Sequence, residues 1–425
     1  MKRMSYAKLA LATAAAAGLT VSALPAYAAS PDGSFTYRVK PIVVKSHFGN
    51  TPAALPTGPS DCLAATGGEF ACQTPQSIRA AYNIPGTING APAGTGQTIV
   101  IVDAFGSPTA ASDLATFSTA FGLPQADLSI HYPGGKPTWN GRGTQLGWAQ
   151  ETSLDIQWAH AVAPGAKIAL VVAANDHGTS LDNAVRYAVD NKLGNVLSMS
   201  YGEPENLIHG NSAQQSQAHK TFVKAAAQGM SVFASSADAG SDNGAGYENF
   251  SLPAADPLVT AVGGTNLFAG SGLPEPQETV WGDFANCPTN CADGPFGATG
   301  GAPSLLTDKQ GSDVAYNGSV YTGVLTYLGM MGGDANGFYF FGGTSAGSPQ
   351  WAGIAADIDH ATGSKLGSVN NYAQSWAGSG LLYDVTEGSN STPTFSGGYS
   401  ATTGWDSPTG WGTPDVGSII ASLSK

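Results

Sequence analysis

Ser345 lies in Phe341-Gly342-Gly343-Thr344-Ser345-Ala346-Gly347-Ser348-Pro349, one serine framed by glycines just ahead of an apolar helical run. This setting predicts a sharp turn at the positive end of a helix, where backbone N–H groups and the helix dipole stabilise negative charge. A nucleophilic serine needs that environment, because an oxyanion develops beside its oxygen. Pro349 suits the first helical turn, where its missing N–H costs nothing. A Gly/Ser loop capped by Ser348 has the same composition, so the general base must decide between the two. The chain offers two candidates.

The first is His177, in Asn175-Asp176-His177-Gly178-Thr179. With Asp103 and Ser345 it gives the order Asp, His, Ser, which is similar to that of the subtilisins. A surface turn capping the next helix explains so short a motif equally well.

The second is the predicted helix over 148–162, which carries Glu151 and Asp155. At about 100° per residue, with Glu151 at zero, Trp148, Asp155 and Val162 fall within roughly 60° of it. Trp158 and Leu154 flank the same stripe, while Thr152, Ser153, Gln157 and His160 take the opposite side. Both carboxylates therefore sit one turn apart in the middle of the apolar face. Burying two like charges there costs several kcal/mol or forces a proton on, about the opposite of what a solvated acid pair does. The bland alternative is burial against an arginine, and only Arg142 and Arg186 are near in sequence. A helix that spends its inward face on two acids is using them.

These residues hang on a regular alternation. Gln97–Asp103, Lys167–Ala173, Asn195–Ser200, Ser231–Ser235 and Leu258–Val262 are short apolar runs that read as buried strands. Helical patterns fall between and around them, near 109–121, 148–162, 179–192 and 212–228. The alternation predicts an α/β fold, a doubly wound and mostly parallel sheet with helices on both faces, in one large domain over 73–425. Residues 29–72 are rich in Pro, Gly and Ser and read as a short propeptide or linker, with a strand only at 34–44. The tail from about 365 is loop-like until a last helix near 415–423.

Residues 1–28 read as a secretory signal peptide: Lys2, Arg3 and Lys8, an apolar run over 9–25, then Ala26-Tyr27-Ala28 as a cleavage site. The mature protein is expected to be secreted and extracellular, or periplasmic. The net charge of −13 becomes −16 after cleavage, which argues against nucleic acid and anionic membranes as partners. With charged residues at 11% and a surface of Gly, Ser, Thr, Asn and Gln, the composition suits acidic surroundings. The four cysteines pair by proximity as Cys62–Cys72 and Cys287–Cys291, with no histidine nearby to suggest zinc.

In the subtilisins, the helix bearing the catalytic histidine runs into an Ala-Pro-x-Ala turn and the next strand. Here Val162-Ala163-Pro164-Gly165-Ala166 follows the Glu151 helix, and His177 comes only after that strand. Glu151 thus holds the histidine's place. From about Gln73 to the C-terminus the chain resembles the sedolisins, serine-carboxyl peptidases with a subtilisin-like fold. The motifs, in order, are Glu151-Thr-Ser-Leu-Asp155, Leu197-Ser-Met-Ser200-Tyr201-Gly202, Ala234-Ser-Ser-Ala-Asp238-Ala-Gly240, Pro253-Ala-Ala-Asp-Pro257, Val262-Gly-Gly-Thr265 and Gly343-Thr-Ser345-Ala-Gly-Ser-Pro349.

The resemblance implies Ser345 as nucleophile, Glu151 as general base, Asp155 as the acid sharing its proton, and Asp238 as oxyanion donor. Asp103, where the family often has a glutamate, would extend the relay. Ser200, Tyr201 and Gly202 would line the substrate cleft. It also implies one calcium ion held by Asp384, Val385, Thr402, Gly404 and Asp406, with Thr402 where glycine is common. Protein or peptide substrates, action in acid, endopeptidase cleavage and a monomeric state are the corresponding expectations. Most members carry a long folded prodomain, whereas here 29–72 stands in that place and either covers the cleft or is dispensable. Two other readings compete: a subtilisin-type peptidase using Asp103, His177 and Ser345, and a secreted binding protein on a degenerate peptidase scaffold.

Overall fold

The computed structural model describes residues 35–424 except 38, 40, 47, 50, 209–211, 274–276 and 286. The signal peptide read over 1–28 lies outside the described residues. The strands that position the site are β1 (Ile42–Lys45), β2 (Thr98–Ala104), β3 (Asp127–His131), β4 (Lys167–Ala173), β5 (Val196–Met199) and β6 (Ser231–Ser235). They are followed by β7 (Thr260–Leu267), β8 (Glu278–Val280), β9 (Val314–Asn317), β10 (Val324–Leu328) and β11 (Gly337–Gly342). The main helices are α1 (Ala110–Phe121), α2 (Thr144–Val162), α3 (Gly178–Asp190), α4 (Ser212–Ala227), α5 (Thr344–Thr362) and α6 (Val416–Leu423).

Successive residues of a strand face opposite sides of its sheet. In β2, Ile99 and Ile101 enter one core while Val100 and Val102 enter the other, so helices must cover both faces. Leu154, Trp158 and Trp351 of α2 and α5 fill the first core, and Leu181, Ala184 and Phe222 of α3 and α4 fill the second. The sheet runs β8-β7-β6-β5-β2-β4-β3, with β9 beside β7. Among these strands only β8 is antiparallel to its neighbour. The predicted α/β architecture is therefore the observed one. Strand order reverses at β2, and in such sheets ligands bind beyond the carboxyl ends at that switch point.

Three features go beyond the sequence reading or differ from it. Thr152, Ser153, Gln157 and His160, on the side of α2 opposite the acids, are fully buried as well. The backbone of β10 and the chain after α1 cover them: Gln157 exchanges two 2.8 Å hydrogen bonds with Tyr327, and His160 Nε2 meets the Pro124 carbonyl at 2.8 Å. Second, a small antiparallel sheet, β1-β11-β10, was not legible, because its pairing joins residues far apart in sequence. Its strand β1 runs against β11 from Ile42–Gly342 to Lys45–Tyr339. Third, Pro349 is inside α5, not in its first turn, since the helix already begins at Thr344.

The segment read as leader or linker is exposed at 51–54 but packed against the domain at several other described positions. Cys62 and Cys72 form a disulfide, and Phe70 stacks on Phe340 with ring centres 4.5 Å apart. Cys287 and Cys291 form the second disulfide. Among the described residues, no helix is long and apolar enough to cross a membrane.

Candidate active site

The carboxyl end of β2 delivers Asp103, and the chain leaving β5 delivers Ser200, Tyr201 and Gly202. The loop after β6 carries Asp238. Helix α2 brings Glu151 and Asp155 in from one side, and the start of α5 brings Ser345. Gly343 caps α5 at φ 110°, a left-handed value that a side chain resists, and a Cβ there would stand 2.8 Å from Asp238 Oδ2. Only glycine lets the turn bring Ser345 and Asp238 together.

Asp103, Glu151 and Asp155 form one buried cluster, each 1% exposed or less. No ion pair among the described residues reaches any of them, so the arginine alternative fails. None of their six carboxyl oxygens has a hydrogen-bond partner of ordinary geometry. Burial pushes Glu151 and Asp155 well above the usual carboxylate range, and neighbouring acids add to it: Asp103 and Asp238 for Glu151, Asp103 and Glu151 for Asp155. Burial likewise raises Asp103 to about 7. Such a group holds protons well above the pH at which free carboxyls lose them, and its members titrate together.

Hydroxyls surround the cluster. Ser345 stands beside Glu151 and favours its charged form, as Ser200 does for Asp155 and Thr152 for Asp103. In the resting geometry the Ser345 hydroxyl donates instead to the Ser200 carbonyl, at 3.4 Å. Thr152 has no role in the sequence reading, which places it on the side of the helix opposite the acids.

Asp238 follows Ala237, a non-glycine residue held at φ 101°. The Ala237 N–H donates to Thr344 Oγ1 at 3.1 Å, and its carbonyl accepts the Gly300 N–H at 2.7 Å. Backbone strain of this kind persists only where surrounding contacts impose it. Asp238 Oδ1 accepts both the N–H and the hydroxyl of Thr344, at 2.7 and 2.8 Å. Burial raises its pKa, and these two bonds pull it part of the way back. Thr344, also absent from the sequence reading, is what fixes the carboxyl beside the turn.

Tyr201 is buried between the Tyr37 and Trp148 rings, with centres 4.9 and 5.8 Å away. A Cβ on Gly202 would lie 2.1 Å from Ser251 Oγ and 3.1 Å from the Leu252 carbonyl, so any side chain there would force Ser251 to move. His177 is exposed at the N-cap of α3, its N–H bonded to Asn175 Oδ1 at 3.1 Å and its backbone paired with Thr36. No contact joins it to Ser345 or Asp103 among the described residues, so the Asp103/His177/Ser345 triad does not assemble.

Four of the five residues expected to hold calcium are joined in two pairs. Asp384 Oδ2 accepts the Gly404 N–H at 2.9 Å and Asp406 Oδ2 the Thr402 N–H at 3.1 Å. The two carboxyls are near enough for Asp384 to raise the Asp406 pKa. Among the described residues no cluster of three or more acidic, histidine or cysteine side chains forms a metal site. Any ligands beyond these two carboxyls would have to be carbonyls. Those of Val385, Thr402 and Gly404 accept no hydrogen bond among the described residues. Two carboxylates with spare carbonyls make an all-oxygen set of the kind calcium takes.

Residues 140–375 match the Subtilase family. Kumamolisin of Bacillus sp. (strain MN-32) is 32% identical over 370 residues, covering 80% of this chain and 62% of the relative. Sedolisin of Pseudomonas sp. (strain 101) is 29% identical over 361 residues, covering 78% and 59%. The chain thus spans about three-fifths of the length of these relatives. The solved structure of Pseudomonas sedolisin, a serine-carboxyl proteinase complexed with two molecules of pseudo-iodotyrostatin, superimposes with a TM-score of 0.70 at 28% identity. It covers 82% of this chain and 97% of that one. The chain thus belongs to the subtilase family and is similar to its sedolisin-like, serine-carboxyl members.

Proposed function

We propose that the protein is a secreted serine-carboxyl endopeptidase that hydrolyses peptide bonds in acid. The observation that carries this reading is the buried, cation-free pair Glu151 and Asp155 beside a serine at a helix N-terminus. Ser345 Oγ attacks the scissile carbonyl carbon and its proton passes to Glu151. The tetrahedral oxyanion is stabilised by the Asp238 O–H and by N–H groups of the first turn of α5. Collapse breaks the C–N bond as Glu151 returns the proton to the leaving amine. Water then repeats the sequence on the acyl-enzyme, releasing the acid product and restoring Ser345. Asp155 shares a proton with Glu151, and Asp103 with Thr152 extends the relay.

The pH dependence follows from the protonation states. Asp238 can donate only while protonated, so activity falls as pH rises through its elevated pKa. Glu151 accepts a proton only while the acid cluster still has a negative charge, so activity also falls in strong acid. Cleavage of a protein substrate from about pH 2.5 to 8 tests the scheme, since a histidine base fails below about 6.5 instead. Ser345→Ala and Glu151→Gln should each abolish activity at every pH, while His177→Ala retains it. A neutral optimum, or loss of activity in His177→Ala alone, would refute the carboxyl base. Complete inactivity of the wild type would favour the binding-scaffold reading.

Calcium fits Asp384, Asp406 and the carbonyls of Val385, Thr402 and Gly404. There it would offset the repulsion of the two carboxylates and pin the C-terminal loops.

A further inference from the structure

Pro349 raises a problem at the nucleophile's own peptide. In an α-helix the carbonyl of residue 345 is bonded by the N–H of residue 349, and proline has none. In this structure a residue outside the helix makes a bond to that carbonyl: Ser200 Oγ donates to Ser345 O at 3.2 Å. Two residues earlier, Ser198 Oγ lies 2.8 Å from Ser348 Oγ, and with the Ser345 hydroxyl's bond to the Ser200 carbonyl the strand end is joined to the first turns of α5 three times. Ser200 is 1% exposed, so no bulk water competes for the bond.

A serine hydroxyl has one proton to donate and two lone pairs to accept. Ser200 stands beside Asp155 as well as the Ser345 carbonyl, and it gives its proton to the carbonyl, leaving both Asp155 oxygens unpartnered. A protonated Asp155 can donate to Ser200 Oγ, which keeps the bond to Ser345. A charged Asp155 competes for the Ser200 proton and weakens that bond. The charged and titratable groups facing this point are Glu151 and Asp155 from α2 and Asp103 from β2, with Asp238 acting on Glu151.

We propose that Ser200 is a positioning residue whose hydroxyl replaces the hydrogen bond that Pro349 withholds from the Ser345 carbonyl and ties the orientation of that peptide to the state of Asp155. The catalytic consequence rests on the serine-carboxyl reading, whereas the hydrogen bond itself does not.

A double-mutant cycle tests it. Ser200→Ala is expected to lower kcat about tenfold with KM little changed, the loss of one buried hydrogen bond. It should also displace the pH–rate profile, to which Asp155 contributes through the acid cluster it titrates with, and Ser200→Thr should restore both. In Pro349→Ala, residue 349 regains its N–H, so adding Ser200→Ala should cost less than about threefold. Melting temperatures of the same four proteins at pH 4 form a second cycle that needs no activity. There Ser200→Ala should destabilise the wild type more than it does Pro349→Ala. Equal effects in both backgrounds, or an unmoved pH–rate profile, would overturn the proposal. Inactivity of the wild type would overturn the enzyme reading and leave the melting cycle to decide the hydrogen bond.

Discussion

Asp238 differs from an ordinary oxyanion donor in that its usefulness depends on a proton. Its Oδ1 already accepts two bonds from Thr344, so the other oxygen must carry the hydrogen. Asp238→Asn replaces a titrating donor with a permanent one, since an amide offers N–H at any pH. The expected result is an alkaline limb displaced to higher pH, while Asp238→Ala loses about 10²–10³ in kcat across the range. Pre-steady-state acylation measured from pH 3 to 8 reads both. An alkaline limb unchanged in Asp238→Asn would assign that limb to another group, with Glu151 and Asp103 the nearest alternatives.

At the level of elements, the first described residues bear on access to the site. Tyr37 packs on Tyr201, and the chain around Thr36 pairs with Asp176–Gly178: the Tyr37 N–H donates to the Asp176 carbonyl at 2.8 Å and the Gly178 N–H to the Phe35 carbonyl at 3.0 Å. Ile42 then pairs with Gly342, three residues before Ser345. The N-terminal segment is thus held near Ser345 by an aromatic contact and by a strand. We propose that it shields the cleft until it is displaced or cut. Removing residues 29–41 while keeping β1 should raise kcat/KM for a peptide substrate. An unchanged value, with an unchanged melting temperature, would show that the leader does not obstruct the site.

At the level of the whole molecule, burial of acids recurs away from the site. Glu278 is raised to about 7 and accepts hydroxyl bonds from Tyr82 and Thr265, each 2.7 Å, and from Thr413. Asp283 and Asp359 are raised to about 6, and Asp103 to about 7, burial being the main cause in every case. A carboxyl whose pKa is higher folded than unfolded contributes stability that is full below the unfolded value and is lost as pH rises through the folded one. Stability should therefore decline from about pH 4 to about pH 7. His160 opposes this weakly, because burial lowers its pKa and its contribution is lost as pH falls below about 6.5. Melting temperatures between pH 3 and 8 check the balance, and a maximum near neutrality would contradict it. The same series with a chelator tests calcium: an unmoved melting temperature would remove Asp384 and Asp406 from consideration as ligands.

Local order determined much of this protein in advance. Glycines ahead of a helical run announce the Ser345 turn, i,i+4 spacing puts Glu151 and Asp155 on one face, and apolar runs between helices require a parallel sheet. Each follows from interactions within a few residues. Tertiary structure alone decided what surrounds them. The far side of α2 is buried because β10 lies against it, and β10 pairs with β11, which also pairs with β1 from near the opposite end of the chain. Thr344 holds Asp238, and Ser200 bonds the carbonyl that Pro349 leaves open, across 106 and 145 residues of sequence respectively. A hydrogen bond between distant residues leaves no periodic trace in the chain, so the donors that tune a carboxyl or a carbonyl become visible only when the fold brings them together.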